Sequence, residues 1–271
     1  MAIQRVLSKW AKTNVLLKSK TLSDHIPKTV IFNRSALSSM LSDYAMVYVK
    51  PDRGTFGNGV MRVEKKNRSQ AAFRFQSGAN ARVYNSFDEL YHGIERVRPK
   101  KTYLIQHGIH LLQHRKRRFD LRVMVQKNLR NDWETTGIIG RLSHPAKIVT
   151  NYHSGGTVTP FETLMSGHLS PTAQAEYKSR LRKFGLQIAQ QLQTRYPGLK
   201  EIGVDVAIDD KMKPWILEVN TAPDPYIFRK LRDKSVSRKI FRYRSAYTTT
   251  GRSIIRRSRI RRLRTKKPPY L

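Results

Sequence analysis

Apolar and polar residues alternate along several short segments that begin at Met46. A period of two is typical of strands that bury one face, and turn residues separate the segments. The predicted strands are MVYVK, GVMRVEKK, AAFRFQ, RVYNS, TYLIQHGI, DLRVMVQKN, WETTGIIGRLS, IGVDVAIDD and PWILEVNT. The last two are predicted to form a hairpin because only a short polar segment separates them.

Two helices are predicted from their capping residues. Ser86 with Glu89 three residues later forms a capping box ahead of a helix over Phe87–Val97. Ser170 caps a longer helix that begins at Pro171. Its apolar stripe has helical spacing: Tyr177, Leu181, Phe184, Ile188 and Leu192. Strands and helices do not alternate regularly, so the pattern favours an α+β fold over a Rossmann-type sheet.

Both ends of the chain are basic. Residues 1–23 contain no acid, and apolar residues at near-helical spacing predict a basic amphipathic helix over residues 1–25. Docking of this helix on its own domain is the favoured interpretation, and a membrane-surface or targeting role is the alternative. Residues 226–271 hold seventeen Lys and Arg and one acid, and are predicted to be a flexible tail.

Composition limits the chemistry. The net charge of +34 favours polyanionic partners, such as nucleic acid or an acidic protein at the tail, and ATP itself. The absence of cysteine excludes disulfides, thiolate metal sites and cysteine nucleophiles, so a metal would need oxygen or imidazole ligands. No apolar run reaches the roughly 20 residues of a membrane span, and a cytoplasmic protein is expected.

The predicted hairpin carries two carboxylates and an amide. Glu218 and Asn220 share one face of their strand, and a hairpin centred on its loop places Asp205 opposite Glu218. Like charges directly opposite destabilise a sheet, and a hard cation such as Mg²⁺ or Mn²⁺ would resolve the conflict. The alternative is that one of the acids pairs with a lysine or arginine.

A glycine-rich segment, VYVKPDRGTFGNGV, joins two predicted strands. Lys50 ends the first strand, and Gly54, Gly57 and Gly59 follow it. Glycines let backbone N–H groups approach phosphate oxygens, and a lysine adds a point charge. An ordinary hairpin loop is the alternative, because the spacing is not that of a P-loop.

Taken in order, these segments resemble the ATP-grasp superfamily, and in detail its YheC/YheD-like family, which is associated with bacterial spore coats. The resemblance rests on VYVKPDRGTFGNGV, YLIQHGI, RRFDLRVMVQ, GIIGRLS with TNYHSGG, and IGVDVAIDD with WILEVNTAPDP. It covers residues 26–225 and implies two α+β lobes that enclose ATP, a glycine-loop lobe at about 45–100 and a metal-binding lobe at about 101–225.

The resemblance also implies roles for individual residues. Lys50 contacts the α- and β-phosphates, and the hinge at Gln106, His107 and Ile109 receives adenine. Arg122 faces the triphosphate or the acyl phosphate, while Arg141 and Asn151, in segments similar to RimK-like ligases, lie nearer the γ-phosphate and the acceptor. The implied Mg²⁺ ligands are Asp205, Glu218 and Asn220. The second phosphate-contacting lysine of the superfamily has no secure match, and Lys28 is the candidate.

Three functions follow as hypotheses. The first is an ATP-dependent ligase that activates a carboxylate as an acyl phosphate and joins it to an amine or a related nucleophile, on a peptide or a spore or cell-envelope component. The second is a nucleotide-binding structural protein of the spore coat with weak catalysis. The third is a polyanion or nucleic-acid binder that acts through the basic tail.

Overall fold

Two antiparallel sheets form the framework of the protein. The computed structural model describes residues 3–55, 57–66, 72–145, 148, 150 and 155–248. The first sheet has the strand order β1-β6-β2-β3-β4-β5 and the second the order β10-β9-β8-β11-β12, with a short strand β7 paired to β8. Within the described residues, none of the helices is long and apolar enough to cross a lipid bilayer.

Two helices cover one face of the first sheet. Its strands are β1 (Thr29–Ile31), β2 (Met46–Pro51), β3 (Met61–Lys65), β4 (Phe73–Ser77), β5 (Asn80–Tyr84) and β6 (Tyr103–His107). Helices α3 (Arg34–Asp43) and α4 (Phe87–Val97) pack their apolar side chains against alternate residues of the central strands, among them Val47, Val49 and Ile105. The opposite face carries polar residues such as Lys50 and Gln106 toward the second sheet.

The second sheet contains the longer strands. They are β7 (Gln113–His114), β8 (Arg117–Lys127), β9 (Trp133–Leu142), β10 (Thr157–Thr159), β11 (Glu201–Ile208) and β12 (Pro214–Asn220). Helix α5 (Phe161–Met165) and the long helix α6 (Pro171–Gln193) cover one face. Helices α1 (Lys9–Leu16) and α2 (Lys20–Ser23) precede β1, and α1 packs beside α6 through Val15 and Leu16.

The predicted helices are confirmed with their caps. The Ser86 hydroxyl accepts from the Glu89 amide at 3.2 Å, while the Glu89 carboxylate accepts from the amide of Asn85 at 3.0 Å. Ser170 caps α6, and all five residues of the predicted stripe are buried. The α+β class and the predicted strands are confirmed as well.

The boundary between the lobes differs from the prediction. Strand β6 pairs with β1 and β2, so it belongs to the first sheet, and the second sheet begins after His107 and not near residue 101. The predicted N-terminal helix is also shorter than residues 1–25, because α1 starts at Lys9, where Ser8 caps it by accepting from the Ala11 amide.

The prediction of a flexible segment from residue 226 is wrong as far as residue 248. Residues Tyr226–Lys230 form a 3₁₀ turn and residues 234–248 form a helix, α7. Ile227, Phe228 and Ile240 are buried against Met124 and Ile139 on the open face of the second sheet. This apolar contact outweighs the basic composition of the segment, since burial of large side chains stabilises it. Residues 249–271 lie outside the described part of the chain.

Replacing Ile240 by alanine tests the packing of α7. Ile240 is fully buried, so we expect the variant to lose about 2 to 5 kcal/mol of unfolding free energy in urea denaturation. Ser245→Ala, at an exposed position on the same helix, is the control and should change stability by less than about 0.5 kcal/mol. Equal stabilities of the two variants would show that α7 is not packed in solution.

Candidate functional site

A cavity of about 510 Å³ separates the two sheets. Its walls come from the glycine loop between β2 and β3, from the segment that leaves β6, and from β8, β9, β11 and β12. The predicted site residues that line it are Lys50, Gly54, Gly57, Gln106, His107, Ile109, Arg122, Arg141, Asp205, Glu218 and Asn220. The fold thus brings together residues that are far apart in the sequence.

Asp205 and Glu218 lie directly opposite each other on β11 and β12, as predicted. The hairpin also contains a β-bulge, because Asp205 pairs with Glu218 while Val206 pairs with Ile216. Leu217 is therefore the extra residue of β12, and its carbonyl oxygen accepts from the Lys50 Nζ at 3.0 Å. The bulge thus links the strand that carries Glu218 to the lysine of the first sheet.

Two arginines neutralise Asp205. Arg122 faces it across β8 and β11, with its Nε 2.6 Å from Oδ1, and the Arg141 Nη2 is 2.9 Å from Oδ2. Burial opposes ionisation of Asp205, but the two guanidinium groups outweigh it and hold the pKa of this carboxyl below its usual range. Asp205 is therefore an ionised carboxylate at neutral pH.

Arg141 also pairs with Asp120, its cross-strand neighbour on β8. Burial disfavours the charged guanidinium, yet Asp120 and Asp205 together raise the pKa of Arg141. Both Asp120 and Arg141 are almost completely buried. The four side chains Asp120, Arg122, Arg141 and Asp205 therefore form a balanced network, in which loss of one member leaves a buried charge without its partner.

Glu218 is compensated from the N-terminal helix. The Lys9 Nζ lies 3.4 Å from its Oε1 and donates to the Gly54 carbonyl oxygen at 3.0 Å. Lys9 is 8% exposed, and it contacts the glycine loop and β12 at once. Lysine and arginine side chains thus neutralise the two opposed acids, which agrees with the alternative interpretation that an acid of this hairpin pairs with a basic residue.

Asp205, Glu218 and Asn220 still present oxygen atoms suited to a hard cation, and all three line the cavity. The Asn220 Oδ1 accepts from the Ala222 amide at 2.8 Å, which fixes the orientation of the side-chain amide. Among the residues that the structure describes, no three His, Asp or Glu side chains cluster closely enough to hold a metal on their own. This donor set fits a cation that also takes ligands from a bound phosphate.

Lys50 is buried on the cavity face of β2. Its Nζ donates to the Gln106 Oε1 at 2.7 Å as well as to the Leu217 carbonyl, and burial lowers the pKa of Lys50 to about 8. The Gln106 amide group in turn donates to the Thr29 hydroxyl at 3.1 Å. Lys50 is thus positioned by groups on three strands, with its charge incompletely solvated.

The glycine loop has the backbone that its sequence predicts. Gly54, Gly57 and Gly59 have φ values of 155°, 75° and 74°, which side chains with a Cβ rarely adopt. A Cβ at Gly59 would also lie 2.8 Å from the Tyr103 hydroxyl oxygen. Asp52 anchors the base of the loop, because its Oδ1 accepts from the Ser8 hydroxyl and the Trp10 amide.

These features agree with a family assignment. A family model described as YheC/D-like ATP-grasp matches residues 2–250. The chain belongs to this family. The match spans nearly all of the described residues, including both sheets and the cavity.

Two curated proteins of Bacillus subtilis (strain 168) resemble the YheC/D-like chain. Endospore coat-associated protein YheD is 25% identical over 88% of this chain and 54% of its own length. Endospore coat-associated protein YheC is 22% identical over 79% of this chain and 59% of its own length. The chain therefore spans somewhat more than half the length of these relatives.

Solved structures give a weaker match. An ADP complex of N5-carboxyaminoimidazole ribonucleotide synthetase has a TM-score of 0.46 and 9% identity, over 81% of this chain and 46% of that one. An ATP-grasp ligase, PsnB, complexed with a minimal precursor has a TM-score of 0.45 and 12% identity, over 80% and 53% of the two chains. The assignment of this YheC/D-like chain to its family rests on the family model.

One predicted lysine lies outside the cavity. Lys28 is half exposed, and its Nζ pairs with Asp43 at 3.2 Å, so the structure does not support Lys28 as the second phosphate lysine. Lys9 and Lys12, on the face of α1 that also carries Leu16, line the cavity instead. The Lys12 Nζ donates to the Val6 carbonyl oxygen at 2.8 Å, and burial lowers the pKa of Lys12 to about 8.

The sequence pattern does not predict these two lysines, because the basic residues of an amphipathic helix ordinarily lie on its solvated face. Ser8 was the available signal, since an N-cap there fixes Lys9 and Lys12 on the same face as Leu16.

Asn151 lies outside the described residues. At the hinge, the amides of His107 and Gly108 already donate to the carbonyl oxygens of Lys28 and Met46.

Arg141→Met tests the buried charge network. The substitution leaves Asp120 and Asp205 with an uncompensated buried charge, so we expect a loss of about 3 to 5 kcal/mol in unfolding free energy at pH 7. Arg34→Met is the control, because it removes an exposed pair with Asp88 and should cost less than about 1 kcal/mol. Similar losses for the two variants in urea denaturation would contradict the network.

Proposed function

We propose that this YheC/D-like chain binds Mg·ATP between its two sheets and acts as an ATP-dependent ligase. In the proposed reaction a carboxylate oxygen attacks the γ-phosphorus, the bond to the β-phosphate oxygen breaks, and ADP leaves. An amine or related nucleophile then attacks the acyl carbon, loses a proton and displaces phosphate. The observation that carries the proposal is the cavity in which Lys9, Lys50 and the Asp205–Glu218 pair converge.

The lysines support binding of the triphosphate. Lys9 pairs with Glu218 and donates to the glycine loop, while Lys50 donates to the adjacent Leu217 carbonyl oxygen of β12. Phosphate oxygens would replace the carbonyl and amide oxygens that these lysines now contact, and the positive charges would stabilise the transferring group. The loop at Gly54, Gly57 and Gly59 would add backbone N–H groups above the phosphates.

The hinge supports recognition of the base. The His107 and Gly108 amides are already bonded, and the Gln106 side chain is bonded to Lys50 and Thr29. We therefore assign base recognition to Ile109, which lines the cavity. The His107 ring stacks on Tyr44 with a centroid distance of 4.0 Å, and burial lowers its pKa. His107 is thus a neutral structural support of the hinge.

Arg122 and Arg141 are proposed to face the transferred phosphoryl group. Asp205, Glu218 and Asn220 would hold a bound Mg²⁺, which would supply positive charge to the transferring phosphoryl group. Asn151 keeps its proposed place near the acceptor.

An association with the spore coat is a second proposal. Both curated relatives are named endospore coat-associated proteins, and a nucleotide-binding coat protein with weak catalysis would keep the same cavity. Calorimetry separates the two proposals. ATP binding without turnover, across a panel of carboxylates and amines, would favour the structural role over the ligase.

Glu218→Gln tests the metal site. The variant keeps the shape of the side chain but removes the charge that faces Asp205, so we expect Mg²⁺-dependent ATP turnover to fall at least about a hundredfold. Glu162→Gln is the control, because Glu162 pairs with Lys178 at the surface away from the cavity. Full turnover by the Glu218 variant would exclude it as a metal ligand.

Lys9→Met and Lys28→Met decide between the two candidate lysines. Loss of a buried charge beside the glycine loop should weaken ATP binding at least about tenfold for Lys9, because hydrogen bonds to charged groups are strong. The Lys28 variant should bind ATP like the parent, since Lys28 faces solvent. Isothermal calorimetry measures the ATP affinity of both variants. A larger loss of affinity in the Lys28 variant than in the Lys9 variant would identify Lys28 as the second phosphate lysine.

The pH dependence of ATP affinity follows from the buried lysines. Lys12 and Lys50 have pKa values of about 8 in the free protein, and bound phosphates would raise them. Below pH 8 both lysines are mostly charged, so affinity should change little. Above pH 8 binding must take up protons, and the dissociation constant should rise between pH 8 and pH 9.5. A constant affinity over this range would show that neither lysine contacts the nucleotide.

A further inference from the structure

The outer end of the cavity opens beside two aromatic residues of the C-terminal segment. Tyr226 lines the cavity and is 58% exposed. Its ring meets that of Phe241 edge to face at a centroid distance of 5.2 Å. The Arg229 guanidinium lies over both rings, 5.0 Å and 4.3 Å from their centroids. Cavity and outer surface are therefore continuous at Tyr226.

Positive charge predominates on this segment. Residues 226–248 contain eight Lys and Arg and one acid, Asp233, which bonds to Ser235. Lys239 pairs with Glu134 of the second sheet. In the described part of the chain, the five arginines of the segment make no ion pair within 4 Å: Arg229, Arg232, Arg238, Arg242 and Arg244. Arg238 and Arg242 are exposed and lie one turn apart on α7.

Arg244 carries the same charge into the cavity. It lines the cavity wall, and its Nη1 makes one long hydrogen bond, of 3.4 Å, to the Pro223 carbonyl oxygen. Seven Lys and Arg but four Asp and Glu line the whole cavity, an excess of three positive charges. Mg·ATP carries about two negative charges near neutral pH, so part of this positive charge would remain unmatched and would favour a further anionic group.

We propose that Tyr226, Arg229, Arg238, Phe241 and Arg242 form a docking surface for an acidic peptide, one carboxylate of which enters the cavity at Arg244. This inference rests on the proposed function, because the carboxylate delivered in this way is the group that ATP would activate. A planar guanidinium suits the role, since its N–H groups match a carboxylate in a bidentate pair.

The aromatic residues favour a peptide over a nucleic acid. Single-stranded nucleic acid binds by stacking bases on open aromatic faces. On this surface the Arg229 guanidinium already covers a face of each ring, and Phe241 packs on Tyr226. The exposed Arg238 and Arg242 of the same segment are left to contact side-chain carboxylates.

The experiment uses the full chain and a peptide of ten glutamates that carries one benzophenone. Cross-linked residues are located by mass spectrometry after irradiation. We expect cross-links at Tyr226 and Phe241, and at least a tenfold loss of them in the Arg229→Gln/Arg242→Gln variant. The control, Arg182→Gln/Lys183→Gln, removes the same charge from the exposed face of α6 and should leave the cross-links unchanged.

Arg244→Gln tests the inner end of the surface. Peptide affinity, measured by fluorescence anisotropy, should fall at least about tenfold because a charge-assisted hydrogen bond is lost. Unchanged affinity would remove Arg244 from the proposal.

Three results would overturn the docking surface. The first is cross-linking confined to other parts of the chain, including residues 249–271, and the second is an equal loss of cross-links in the control variant. The third is that oligothymidine of equal charge displaces the peptide from Tyr226 as effectively as unlabelled peptide does, which would assign the surface to nucleic acid. Glu218→Gln should keep the cross-links while losing turnover, so failure of the ligase proposal and failure of the docking surface give different results.

Discussion

The opposed carboxylates of Asp205 and Glu218 are the constraint on which the rest of the site depends. Two like charges that face each other on adjacent strands repel, and burial strengthens the repulsion. Three cations neutralise these charges: Arg122 on β8, Arg141 on β9 and Lys9 on the N-terminal helix. The site therefore needs the second sheet and the N-terminal helix, and not the hairpin alone.

The N-terminal segment connects the two sheets, and the C-terminal helix packs on the second sheet. The N-terminal segment bonds to Asp52 below the glycine loop, and Arg5 reaches Glu201 and the Thr221 carbonyl oxygen on the second sheet. The C-terminal helix α7 adds Tyr247, whose hydroxyl donates to the other oxygen of Glu201. Glu201 is fully buried and so requires both partners. Movement of either terminal segment would therefore change the walls of the cavity.

Much of the fold and part of the site could be predicted from the sequence. Period-two alternation and the Ser86 and Ser170 caps locate elements because they depend on local geometry. The opposition of Asp205 and Glu218 is predicted correctly, but it depends on the bulge at Leu217, which the sequence pattern did not reveal. The register nearer the loop, with Val206 opposite Ile216, would by itself place Asp205 opposite Leu217. Long-range packing could not be predicted: the burial of Lys9 and Lys12, and the contact of Ile240 with the sheet, depend on which surface each helix meets. The basic composition of both terminal segments predicts solvated residues instead, because basic side chains are ordinarily exposed.

The position of a bound cation tests the central claim most directly. Crystals grown with Mn²⁺ and a non-hydrolysable ATP analogue would locate the metal by its anomalous scattering. The account predicts a peak about 2.0 to 2.3 Å from carboxylate oxygens of Asp205 and Glu218, beside the phosphates and below the glycine loop. Nucleotide bound outside the cavity, or a metal peak away from both carboxylates, would contradict it.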